Sequence, residues 1–171
     1  MVKLRTLLET IETTPVNIGF LKQRVSKTVS VLAYEQLKGQ HRSKLFKGKT
    51  AVIVLIPKKG SKRGHFICLV PRPRHIEYFS SLGNNFETEL AQLDEHVDLF
   101  RTLLGKNYIY NKVKLQSGRY NINTCAAWVL ARARLAHLKL RGFQEIFGRI
   151  SLQNPDDIVS MLVLLDFVDK E

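Results

Sequence analysis

Residues 64–83 read GHFICLVPRPRHIEYFSSLG, two apolar runs around a proline-arginine turn, and their reading decides the fold. Each run has strand length and strand composition, and Pro71 to Arg74 supply the turn between them. Before them, TAVIVLIP at residues 50–57 is a continuous, β-branched run ending at proline, the pattern of a strand covered on both faces. Three adjacent strands therefore form the centre of a small mixed or antiparallel sheet.

Helical patterns surround this centre. Lys3 to Thr13, stopped by Pro15, and Gly19 to Leu37, with Leu21, Val25, Val29 and Leu32 on one stripe, read as two amphipathic helices. Phe86, Leu90, Leu93, Val97, Phe100 and Leu104 recur at steps of three and four after an Asn84-Asn85 cap, which predicts one helix. YIYNKVKLQ reads as a further strand ending at Gln116. Thr124 to Leu140 is a helix that starts apolar on all sides, so its first half belongs in the middle of the molecule, and Gly142 ends it. Asn154, Pro155, Asp156 and Asp157 open a last helix, over 154–169, with the residues that caps and the helix dipole favour. No repeat or linker divides the 171 residues. The class is α+β in one domain: a helical part over 1–40, a core over 46–140, and the terminal helix.

The net charge of +12 is unevenly placed. No acid occurs from Gln36 to Ile76 or from Leu99 to Gln144, and both stretches are rich in lysine and arginine. That bias points to a polyanion, with DNA as the foremost partner, or to an acidic protein; a merely solvated basic surface fits the composition equally well. The two cysteines, Cys68 and Cys125, form neither a CxxC motif nor a His-Cys cluster, so no metal and no disulfide framework is expected. The same cysteine usage and the lack of a leader or long apolar run favour a reduced, intracellular, non-membrane setting.

His65 opens a strand and Cys125 falls in the first turn of the buried helix. There, backbone N–H groups and the dipole favour a thiolate, and the Cys125 amide can hold an oxyanion. Gln116 offers a neutral NH2 as a second oxyanion donor. Taken singly, Cys125 reads as an inert buried cysteine and His65 as a turn histidine. Cys68 is structural, because strand alternation puts it on the face opposite His65.

Order and context alter that balance. His65-Phe66, Tyr78-Phe79-Ser80-Ser81-Leu82-Gly83, Gln116 and Cys125-Ala126 resemble, in sequence and in order, the adenain-like cysteine proteases, the maturation enzymes of adenovirus and of large DNA viruses and virophages. The proteases of ubiquitin-like modifiers are more distantly similar. The resemblance implies an adenain-like fold with the nucleophile at the start of a central helix. It further implies His65 as base, Cys125 as nucleophile, Gln116 in the oxyanion hole and cleavage of capsid or core precursors beside small residues. No cofactor is required, although DNA as an activating polyanion is implied, and the enzyme would act in the host cell and be packaged in the virion. Three departures stand out: Ser80 replaces the family's acid, Ala126 its glycine, and the interval from Gln116 to Cys125 is longer. Ser80 is then the expected holder of the His65 ring, with Asn84 or a backbone carbonyl as substitutes. Glu77, an odd step away, points elsewhere. On this reading Ser80→Asp raises activity. The competing readings are a modifier-specific protease and a catalytically weakened nucleic-acid-binding or scaffold protein.

Overall fold

The computed structural model describes residues 16–60, 64–117, 124–148 and 154–168. The expected helix over 3–13 lies outside them. A five-stranded mixed sheet runs through the molecule in the order β1 (Val29–Ala33), β2 (Ala51–Pro57), β3 (Gly64–Pro71), β4 (Ile76–Phe79) and β5 (Tyr108–Tyr110). The pairs β1·β2 and β4·β5 are parallel, while β2·β3 and β3·β4 are antiparallel. Alternation along the strands feeds two cores. Ile53, Phe66, Cys68, Val70 and Phe79 face α5 (Cys125–Arg134), α6 (Leu140–Gly148) and α7 (Pro155–Val168). Val52, Val54, Ile67, Leu69 and Tyr78 face α3 (Phe86–Leu93) and α4 (Asp98–Leu104). Covering on both faces explains why β2 and β3 read as unbroken apolar runs.

Four sequence expectations are corrected. Gly19 to Leu37 is not one helix: α1 (Ile18–Lys22) is followed by β1 and a 3-10 turn, Tyr34–Leu37, before α2 (Arg42–Leu45). Val29 and Val31 are β-branched, and parallel pairing of Val29 with Ala51 through Ala33 with Leu55 outweighs the helical spacing of Val29 and Leu32. The helix from Phe86 is two helices. Asp94 adopts a left-handed φ of 58°, breaking the chain while both pieces stay on one sheet face, so the spacing carries through. β5 is short, and Gln116 lies beyond it in an irregular segment.

The helix from Thr124 ends at Arg134, and Gly142 sits inside α6 rather than ending α5. Its end is made by tertiary contacts. Arg132 is fully buried; its Nε donates to Glu77 Oε1 at 2.6 Å, and its two amino groups donate to the Leu135 and Leu138 carbonyls, turning the chain at the end of α5. Arg72 joins from β3's end, donating to Glu77 Oε2 and the Leu138 carbonyl. Removing one partner from such a buried ion pair costs about 3–5 kcal/mol. Glu77 thus faces α5, on the side of β4 away from Ser80, as the odd spacing requires.

Candidate active site

β3 begins at a constriction: a Cβ on Gly64 would run into the Ile56 carbonyl oxygen, so the residue before His65 must be glycine for β2 and β3 to pair. Alternation turns His65 toward the α3 face. Its Nε2 lies 3.1 Å from Ser80 Oγ, just past the end of β4, and 3.3 Å from Glu89 Oε1 on α3. Ser80 Oγ also accepts from the Leu82 amide at 3.2 Å, and the Ser80 side chain draws the Glu89 pKa down. A hydroxyl has one proton to give. A Ser80 hydroxyl turned toward Glu89 accepts from Nε2–H, and that arrangement leaves the His65 lone pair on Nδ1. Ser80 Oγ and Glu89 Oε1 thus both lie against Nε2 of His65. Asn84 instead donates to Gln92.

Glu89 is the participant that the sequence reading missed. It is 1% exposed, and its Oε2 has no hydrogen-bond partner among the described residues. Burial raises it to about 7, partly opposed by Ser80, while burial lowers His65 to about 4. Desolvation thus outweighs the attraction across 3.3 Å, and the resting imidazole is neutral. A sequence signal was present: Phe86, Glu89, Leu90 and Leu93 have one-face spacing, which places an acid on the buried stripe of α3.

Cys125 is the first residue of α5 and is buried. Burial raises its thiol, and the nearby Glu89 carboxylate raises it further; backbone hydrogen bonds from Phe66, Ala126 and Cys125 itself pull it back. The sulfur is therefore held against the residue next to His65 and lies within the field of Glu89. Cys68, with no exposure, is pushed by burial to about 12.

Gln116 is fastened to the same corner. Its Oε1 accepts from Ser81 Oγ at 2.7 Å and its amide donates to the Ser81 carbonyl at 3.0 Å, so the NH2 end of the side chain is directed away from Ser81. Asn111, fully buried, donates to the Ser80 and Val113 carbonyls at 2.8 Å each, locking the residues between β5 and Gln116 onto the Ser80-Ser81 turn. Gly83, at φ 77°, lets that turn lie against the backbone of Val113 and Lys114. Among the described residues, no cluster of acids, histidines and cysteines could hold a metal, and no helix is long and apolar enough to cross a membrane.

No family model matches the chain. It is similar to an uncharacterised protein, V9, of Sputnik virophage, with 25% identity over 135 residues covering 68% of this chain and 75% of that one. Among solved structures it is similar to the SUMO protease Ulp1, in a form whose catalytic cysteine is oxidised to a sulfinic acid. The identity is 12% and the TM-score 0.34, over 94% of this chain and 76% of that chain.

Proposed function

We propose that this protein is a cysteine endopeptidase of the viral maturation type, with His65 as general base and Cys125 as nucleophile. The supporting observation is the polar cluster on His65, where Ser80 and Glu89 take Nε2 while the thiol rests against the backbone of Phe66. As sulfur attacks the peptide carbonyl, Nδ1 takes the thiol proton and Glu89 and Ser80 stabilise the imidazolium through Nε2–H. The Cys125 amide and the Gln116 NH2 receive the oxyanion. Collapse breaks the C–N bond, the imidazolium returns its proton to the leaving amine, and water, activated by the same base, hydrolyses the thioester.

Glu89 supplies the carboxylate whose absence from position 80 favoured a catalytically weakened scaffold. Capsid or core precursors cut beside small residues are the proposed substrates, and DNA the proposed activating polyanion. The test combines alkylation with cleavage. Iodoacetamide should modify Cys125 far faster than Cys68, and a peptide library should be cut beside small residues. Both effects should vanish in His65→Ala, cleavage should vanish in Cys125→Ala, and Gln116→Ala should lower turnover by about 100-fold or more. Equal labelling of the two thiols would remove the dyad. Preference for the carboxyl-terminal extension of a ubiquitin-like modifier over the peptides would assign the modifier-protease reading instead.

A further inference from the structure

Asp156, in the first turn of α7, is fully buried and accepts three hydrogen bonds. Its Oδ2 takes the amide of Ser117 at 2.7 Å; its Oδ1 takes Thr124 Oγ1 at 2.5 Å and Trp128 Nε1 at 2.8 Å. Ser117 follows Gln116, and Thr124 precedes Cys125. One carboxylate thus tethers the neighbour of the oxyanion donor and the neighbour of the nucleophile to each other. Sliding one segment past the other would break a bond to a buried charge.

The same contact lies at the start of α5. Thr124 is the N-cap of that helix, where a threonine oxygen ordinarily accepts from an amide of the first turn. Here Thr124 makes no side-chain capping bond: its backbone is αR (φ −80°, ψ −1°) rather than extended, and its hydroxyl donates to Asp156. Thr124 therefore does not compete for the amides of the first turn, the groups on which the thiolate and the oxyanion rely.

We propose that Asp156 is a positioning residue for this site, setting Gln116 against Cys125 by tethering Ser117 and Thr124 together; this rests on the protease reading above. Cys68 provides the internal control, since its label reports loss of packing and not of site geometry.

The experiment measures iodoacetamide modification of both cysteines against pH in native full-length protein, together with the melting temperature. Asp156→Asn presents a donor where the Ser117 amide needs an acceptor. It should slow Cys125 alkylation at pH 7 by at least about tenfold, a misplacement of about 1 Å being worth about 100-fold. Cys68 should stay protected. Thr124→Val, which removes one bond without changing shape, should slow Cys125 by about fivefold, in line with one hydrogen bond. Thr124→Ser should restore the rate. Wild-type Cys125 rates in both Asp156→Asn and Thr124→Val overturn the proposal. So does a slowing matched by exposure of Cys68 in both. Should Asp156→Asn fail to fold, the Thr124 pair decides alone. If wild-type Cys125 itself reacts no faster than Cys68, the protease reading has failed, and the positioning role with it.

Discussion

At His65 and Glu89 burial acts on groups of opposite charge type, and its consequences for stability run in opposite directions with pH. The His65 imidazole titrates near 6.5 when unfolded and about 4 when folded, so its contribution is complete above 6.5 and is lost as pH falls toward 4. Glu89 moves from 4.5 to about 7, so its contribution is complete below 4.5 and is lost as pH rises to about 7. Between these limits the two largely offset each other. Glu89→Gln removes one side of the balance: its urea midpoint should fall from pH 7 to pH 5 more steeply than that of wild type, and equal slopes would discard the pair. If Glu89 stabilises the imidazolium more than it repels the thiolate, reactivity at Cys125 should rise in wild type as Glu89 ionises near 7, a limb that Glu89→Gln should lack. Ser80→Asp, expected from the sequence to raise activity, should instead lower it at neutral pH. The new carboxylate would face Glu89 and raise its pKa further. Glu89 was hidden because its partnership with His65 crosses from a helix to a strand, and no spacing along the chain encodes that. The placement of Ser80 beside His65 and of Cys125 at the start of α5 was legible because a local motif carries them.

Among the elements, strands with a β-branched, doubly covered core were readable from composition, whereas β1 and the end of α5 were decided by partners far along the chain. Val29 to Ala33 needs β2 to become a strand, and Arg132 needs Glu77 and Leu138 to turn the chain after α5. The turn after β4 was legible as Ser-Ser-Leu-Gly, and its cost structure can be measured. Gly83→Ala would place a Cβ 2.8 Å from the Lys114 amide nitrogen at a φ of 77°. It should destabilise the protein by about 1–3 kcal/mol from backbone strain alone. Because Leu115 and Gln116 both donate to the Ser81 carbonyl, the same variant should slow Cys125 alkylation. An unchanged melting temperature would show that the turn accommodates the methyl group.

Over the whole molecule, charge is less available than the sequence count implies. Arg72 and Arg132, which fall within the acid-free stretches, are committed to Glu77. Lys38, Lys44, Lys47, Lys58, Lys112 and Lys114 are exposed and remain for a polyanion, while Lys59 pairs with Asp94 at 3.7 Å. Binding to duplex DNA without sequence preference is expected, with log affinity falling linearly against log salt by about 0.9 per phosphate neutralised. Affinity that is flat in salt would exclude this electrostatic role, and substitution of the exposed lysines should flatten the slope.

Asp156 also has a bearing on when the protein matures during its own synthesis. Ribosomes deliver His65, Glu89, Gln116 and Cys125 before Asp156, so a nascent chain carries all four groups while Ser117, Thr124 and Trp128 still await their shared acceptor. The later arrival of one carboxylate makes emergence of α7 the event that completes the tethering of this corner.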